Sequence, residues 1–477
     1  MKLRRIGILF LCAGILSGCK DGMALEPEKK GGEEAVLMEA SQPEPVSYEG
    51  DEVSRWRALL EENEISESFR TGLARFAFDS GSAVLRGQSG NGVYSPLSLY
   101  YALAIAGYGA EGETEQAVLT ALGVESREEL AEQCEKLYRW YVYDEAYGKA
   151  RAEAYGEEVP DSALKLSNSL WVSDQLKPES EYFNDAAERF YASSYQADFR
   201  SPETGKRIGN WISEQTEGVL SPELSLDPET LLAIVNTLYF YGGWTTPFRE
   251  ENTKDDLFFL EDGSEITVPF LNRTEELGSF YRGDGFTAAA LNTNHSCRMV
   301  FLLPDEERNA EEFLKDGNLL REALDSPQEE WTAGEVVWKI PKFSFGSSMR
   351  LKETLVSLGM ERMFDPALAE FGRISQDGLY VSDVIQEAHL GIDEEGVEGA
   401  AYTMLMLSGA GLPQEQPRAE MILNRPFLFG IQDQANDVWL FLGVCRDPSS
   451  EETAELVASE FLESKIRRDG GRRRSLC

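Results

Sequence analysis

The chain has 477 residues, 42% of them hydrophobic and 10% aromatic, enough to bury a large core, and its length alone suggests two or three domains. With 84 acidic side chains against 45 basic ones, its net charge of −39 argues against nucleic-acid binding, which needs clustered Lys and Arg for phosphate contacts. The charge reads as an acidic, solvated surface.

Lys2, Arg4 and Arg5 precede an apolar run from Ile6 to Leu16 that is too short to span a membrane comfortably as a mature helix. The pattern is that of an export signal. Its end, Leu16-Ser17-Gly18-Cys19, resembles the bacterial lipobox, which implies removal of residues 1–18 and lipidation of Cys19. The protein is then expected at the outer face of a bacterial membrane, facing the extracellular side and held by acyl chains rather than a spanning helix. Residues 19–53 are rich in Glu, Pro and Gly without a sustained apolar period, and read as an extended acidic tether.

From Trp56 onward no compositional break marks a second domain before Pro448. The stretch "SLYYALAIAGYGAEGETEQAVLTALG" predicts a long apolar helix, a glycine-rich turn at Gly109 to Gly112, a second helix from about Thr114, and a stop at Gly123. "LLAIVNTLYFYGGW" reads as a strand buried on both faces, and "CRMVFLLPDE" and "WLFLGVCRDP" as short buried strands. Helices and strands without strict alternation indicate an α+β fold. Beyond Pro448, residues 449–477 place Ala454, Val457, Ala458, Phe461 and Leu462 at helical spacing and end in Arg472 to Arg474, an amphipathic helix with a basic, solvated tail.

Enzymatic signatures are absent. His295 and His389 are the two histidines, neither beside a nucleophile or a ligand motif, and the sequence contains no GxSxG elbow, no HExxH and no complete phosphate loop. Cys134, Cys297, Cys445 and Cys477 do not stand at metal-ligand spacing, so neither a metal nor another cofactor is expected. Whether any of them pair is left open by the sequence.

An ordered series of segments resembles the serpin family of protease inhibitors. "NGVYSPLS" matches with Asn91, Ser95, Pro96 and Ser98, and "LSNSLWV" with Asn168, Leu170 and Trp171. "IGNWISEQTEG" and "VNTLYFYGGWTTPF" follow, the latter with Asn236, Tyr239, Phe240, Gly242, Trp244 and Phe248, and then "IPKF", "LYVSDVIQEA" and "NRPFLF". The resemblance covers residues 54–448. It implies one domain of three β-sheets surrounded by helices, with an exposed reactive-centre loop, in place of the several domains that length suggests.

On this resemblance "DEEGVEGAAYTMLMLSGAG" is the reactive-centre loop, and Glu394, Glu395, Gly396, Val397, Glu398, Gly399, Ala400 and Ala401 form its hinge. Alternation along a strand places Val397, Gly399, Ala401 and Thr403 on the inner face once the loop inserts, all small or modest and uncharged, with Glu398, Ala400 and Tyr402 outside. Gly396 is read as the source of the backbone freedom that insertion needs. Non-inhibitory serpins tend to carry bulky, charged or proline residues in the hinge, and Gly396 to Ala401 contains none at the inward positions. Val397 departs from the commoner Thr and Gly399 from Ala, and neither blocks insertion sterically. Counting from Glu394 puts the reactive bond between Ala410 and Gly411, which suits elastase-like or subtilisin-like serine proteases. Leu407, Ser408 and Gly409 remain alternatives.

The resemblance further implies a shutter of Ser95, Ser98 and Asn236, with Trp244 at the breach and Gln386 where the family usually has histidine. The expected function is suicide inhibition, with a covalent acyl-enzyme complex as the partnership, by a monomer that is not itself an enzyme. Three rivals stand beside it: a non-inhibitory serpin acting as a binding module, an inhibitor of cysteine proteases, and a surface lipoprotein with an enzymatic or solute-binding role.

Overall fold

The computed structural model describes residues 7–15, 36–43, 52–86, 88–156, 162–294, 296–397 and 417–450. Cys19, the loop from Glu398 through Ala410 and Gly411, and the helix expected in residues 449–477, from residue 451 on, lie outside the described residues.

Two N-terminal strands, β1 (Gly7–Ile15) and β2 (Val36–Met38), precede helices α1 (Glu52–Glu62) and α2 (Glu67–Arg86). Strand β3 (Gly92–Tyr94) turns at Ser95 into α3 (Pro96–Tyr108). The Ser95 hydroxyl caps α3 by accepting from the Ser98 N–H, and Pro96 sits at the helix start, where its missing donor costs nothing. Gly109 follows because a Cβ there would lie 2.3 Å from the Ile374 side chain. Helix α4 (Gly112–Leu122), two residues longer at its start than expected, ends at Gly123 in the left-handed C-cap conformation, φ 75°. After α5 (Arg127–Tyr155) come β4 (Ser162–Ser173), α6 (Ser180–Arg189), β5 (Ala192–Ala197), α7 (Pro202–Gln215) and β6 (Thr230–Gly243), the last buried at every position as its unbroken apolar run requires.

Strands β7 (Lys254–Phe259), β8 (Glu265–Gly283), β9 (Phe286–Asn292) and β10 (Cys297–Pro304) follow. Then, beyond two short helices, come β11 (Thr332–Pro341), β12 (Phe343–Arg350), β13 (Tyr380–Ile392), β14 (Gly396–Val397), β15 (Arg418–Ile422), β16 (Phe427–Asp433) and β17 (Val438–Cys445). The central sheet runs β12-β13-β1-β6-β4-β5-β2, with β14 also on β6. The second runs β15-β11-β8-β9-β10-β16-β17-β3, with β7 on β8. Two hydrogen-bonded sheets therefore stand among the described residues where three were expected. The reason is β8, which pairs with β7 and β11 and then continues to pair with β9, carrying one ladder into the next.

The two N-terminal strands fall within the segments expected to be signal and tether. The Gly7–Ile15 segment, expected to act as an export signal, lies antiparallel between β13 and β6, with Phe10 opposite both Gln386 and Asn236. Val36–Met38, within the stretch expected to be a free tether, pairs with β5 at the sheet's far edge.

The main core fills the space between the sheets around α3. A smaller one lies under α7, where Ile208 and Ile212 pack on Trp171, Ala233 and Val235. Trp171 is fully buried, stacked on Tyr195 at 4.7 Å, with the Arg207 guanidinium 5.2 Å from its ring. Cys134, Cys297 and Cys445 are buried free thiols. Among the described residues no helix is long and apolar enough to cross a membrane, and no cluster of His, Cys, Asp or Glu could hold a metal ion. Replacing Trp171 with Ala is expected to cost about 3–5 kcal/mol by opening a cavity under α7. A denaturant midpoint left in place, with hydrogen exchange in α7 unchanged, would contradict this packing.

Candidate functional site

The expected shutter residues lie on the two strands flanking β1 and at the start of α3. Midway along them runs a buried chain of polar groups. Gln386 on β13 accepts from the Ser95 N–H and donates to the Ser95 carbonyl, 2.9 Å each. The Ser95 hydroxyl donates to the Leu440 carbonyl at 2.8 Å. Ser98, one turn into α3, donates to Asn236 Oδ1 at 2.5 Å, Asn236 Nδ2 donates to Asn168 Oδ1 at 2.6 Å, and Asn168 Nδ2 donates to the Phe190 carbonyl at 2.7 Å. All five side chains are buried, where each lost partner would cost about 1–3 kcal/mol. The chain ties β13 and the β6 and β4 side of the sheet to the same helix. The expected shutter residues Ser95, Ser98, Asn236 and Gln386 are therefore brought together, and Gln386 works because an amide supplies both a donor and an acceptor at any pH between 4 and 9.

Asn168 was missed as a member of the network. Its signal was an amide inside the apolar alternation of "SALKLSNSLWV", and β4 places it directly opposite Asn236.

At the upper end of β6 the hinge is held by hydrogen bonds from Trp244, Phe248, Lys342 and Thr253. The Trp244 indole donates to the Asp393 carbonyl at 3.0 Å, and the Trp244 N–H to the Glu395 carbonyl at 2.9 Å. Asp393 closes the turn by accepting from the Glu395 and Gly396 N–H groups. Glu394 accepts from Lys342 Nζ at 2.6 Å and from the Thr253 hydroxyl at 2.7 Å. Burial pushes its carboxyl up, but these two bonds outweigh burial and hold it below the usual range. Lys342, the lone base in "IPKF", and Thr253 were not foreseen as hinge residues. Neither is near the hinge in sequence, so only the fold reveals them.

Beyond the turn, β14 sets Gly396 opposite Gly243 and Val397 opposite Gly242. Val397 is fully buried, which is the inward orientation expected of it. Gly396 is needed for a different reason from the one expected. Its backbone is not left-handed, but a Cβ would fall 2.6 Å from the Gly242 carbonyl and 2.7 Å from the Gly243 Cα, so it is close approach rather than conformational freedom that excludes a side chain. Glu395 is exposed, and Glu398, Gly399, Ala400, Ala401, Ala410 and Gly411 lie outside the described residues.

Next to Gln386, on the other face of β13, Glu387 lies opposite Ser348 of β12. Burial pushes its carboxyl up to about 7, against a weaker opposing hydrogen bond from Ser348. Burial also pushes the His389 imidazole down to about 4, with Nε2 3.2 Å from the Ser344 hydroxyl.

The central sheet thus holds β1 between β6 and β13, with a short strand, β14, paired to the end of β6 beside it. The chain belongs to the serpin family: residues 71–448 match the family profile described as Serpin (serine protease inhibitor). It is 28% identical over 372 residues to an uncharacterized serpin-like protein of Thermococcus kodakarensis, spanning 76% of this chain and 82% of the relative. It is also 28% identical over 396 residues to a leukocyte elastase inhibitor of Xenopus tropicalis, spanning 80% of this chain and all of the relative. Among solved structures, native tengpin, a thermophilic serpin, superposes with a TM-score of 0.67 at 25% identity, covering 87% of this chain and 99% of tengpin. A native, stressed Arabidopsis serpin gives a TM-score of 0.68 at 24% identity, a likeness of fold, covering 81% of this chain.

Glu387 generates a pH-dependent prediction. Folded, its carboxyl stays protonated to about pH 7, whereas unfolded it ionises near its ordinary value of 4.5. Its contribution to stability is therefore fully present below pH 4.5 and lost as pH rises through 7. The melting temperature of the wild type should fall between pH 4.5 and 7.5 by more than that of Glu387→Gln, and parallel pH profiles would contradict the assignment.

Proposed function

We propose that this serpin inhibits serine proteases as a suicide substrate, inserting its cleaved reactive-centre loop between β6 and β13. The observation that carries this reading is the position of β14. It already pairs with β6 at the head of that interval, and it lies in line with β1, which occupies the remainder as a strand antiparallel to both neighbours.

The β14 register predicts where each loop residue would go. Each further residue of the loop meets the preceding residue of β6, so Ala400 would come opposite Tyr239, where Gly7 now pairs, and Thr403 opposite Asn236. Directly opposed residues of antiparallel strands share a face, so Gly399, Ala401 and Thr403 follow Val397 inward. Thr403 then brings a hydroxyl to the Ser98–Asn236–Asn168 chain, a polar group delivered where polar partners wait. Glu398 and Tyr402 take the outer face, and a register slip of one residue would bury Glu398 at a cost of several kcal/mol.

In the exported protein, removal of residues 1–18 would take β1 out of the sheet and leave its position to the loop. Lipidation of Cys19 would hold the inhibitor at the cell surface. A protease that attacks the Ala410–Gly411 bond forms an ester with Ala410. Insertion of the freed strand then carries the ester, with the protease attached, toward the far end of β6 before water can resolve it. The Coulombic and hydrogen-bonded anchors on Glu394 and Trp244 fix the point about which the loop swings in. Small residues at the reactive bond suit the shallow first pocket of elastase-like or subtilisin-like enzymes.

The test uses the chain from residue 19 onward with Cys19→Ser, incubated with pancreatic elastase and with subtilisin. A denaturant-resistant complex and a released fragment beginning at Gly411 are expected. Ala401→Arg, which places a charge on the inward face, should turn the protein into a plain substrate. A wild type indistinguishable from Ala401→Arg, cut to completion with no complex by either enzyme, would overturn the proposal.

A further inference from the structure

We propose that Val36–Pro43 is an edge cap, a part of the acidic N-terminal segment that seals the outer side of β5 and prevents two copies of the protein from joining their central sheets there. The pairing is antiparallel, with Val36 opposite Tyr195 and Met38 opposite Ser194. Leu37 and Ala40 pack against the main core. The Ala40 N–H donates to the Ser193 hydroxyl at 3.1 Å and the Ser41 N–H to the Ala187 carbonyl of α6 at 3.0 Å. Gln42 accepts from the Tyr138 hydroxyl of α5 at 3.0 Å. Tyr138 in turn stacks on Tyr191 at 4.1 Å, between α6 and β5, so the segment closes the corner where the two helices meet the sheet.

The composition of the two strands explains why a cap is needed. Without β2, β5 would be the outermost strand, and "ASSYQA" carries none of the features that blunt an exposed edge, having no Lys, no Pro and no charge. A row of free N–H and C=O groups on a neutral strand is a template for another copy of itself, and two β5 edges meet antiparallel about a two-fold axis. The segment that covers it has the opposite character. Its strand is three residues long, exposed Glu39 follows at once, and a proline, Pro43, lies soon after. It presents outward an edge on which little can build. The cap is seated while the interval between β6 and β13 is filled, so it is compatible with an occupied interval.

The experiment compares wild type, Leu37→Asp and Glu39→Gln in the full chain. Backbone hydrogen exchange is read at Ser193 to Tyr195, and light scattering on a sizing column follows incubation just below the melting transition. Leu37→Asp should raise exchange at these amides by about tenfold or more, because the cap opens without global unfolding, and should produce concentration-dependent dimers that a cysteine introduced at Gln196 cross-links. Glu39→Gln, which leaves the cap seated, should keep wild-type exchange at these amides and give no cross-link through Gln196→Cys. If Leu37→Asp fails to fold, the milder pair Leu37→Ala with Gln42→Ala carries the same readouts. Unchanged exchange at β5, or faster exchange with no association, would overturn the proposal.

Discussion

The interaction on which the molecule depends is backbone hydrogen bonding along the facing edges of β6 and β13. β6 is buried along its whole length and β13 at about every second position, so the N–H and C=O groups lining the interval between them favour pairing with another strand. In the full chain Gly7–Ile15 supplies those partners over most of the length and Gly396–Val397 over the first two residues. A strand that fits here satisfies many such groups at once, and under the proposed mechanism that collective gain would be the free energy driving insertion. The side chains matter for register and the backbone for the driving force.

Both halves of the sheet are held to α3. Gln386 joins β13 to Ser95, and Ser98, Asn236 and Asn168 join the other half to the same helix turn. These bonds are all made with β1 seated between the halves. At the head of the interval, Trp244 and the Lys342–Glu394 ion pair hold the turn from Asp393 to Gly396. One set of contacts ties the parted halves together through α3, and the other fixes the turn beside the end of β6. An amide does not titrate, so Gln386 keeps its donor and acceptor in mild acid, while burial raises the carboxyl of its half-buried neighbour Glu387.

Much of the fold was legible because it rests on periodicity and punctuation. The unbroken apolar run of β6, the capped apolar α3 and the Gly123 stop each follow from local rules that the packing then obeys. Strand alternation gives only relative faces: with Val397 buried, it sets Gly399, Ala401 and Thr403 on the same side of an inserted loop. What the sequence could not show depends on register and on distance along the chain. Asn168 acquires its role only once β4 is set opposite β6, and Lys342 only once the start of β12 is brought beside the hinge. Gly396 reads as a flexible residue until the Gly242–Gly243 backbone is seen against it. Val36–Met38 is too short to show a period, so an acidic, Pro-containing stretch conceals a strand that belongs to the sheet. The union of two expected sheets through β8 is likewise a matter of one strand's length.

The central claim is that the interval between β6 and β13 receives the loop and that doing so stabilises the protein. The most direct measurement is the melting temperature of the chain lacking residues 1–18, before and after a single cut in its reactive-centre loop by a protease that it does not trap. Insertion predicts a rise far beyond the few degrees that a favourable substitution gives, with new hydrogen-exchange protection along β6 and β13. An unchanged or lower melting temperature after complete cleavage would contradict it.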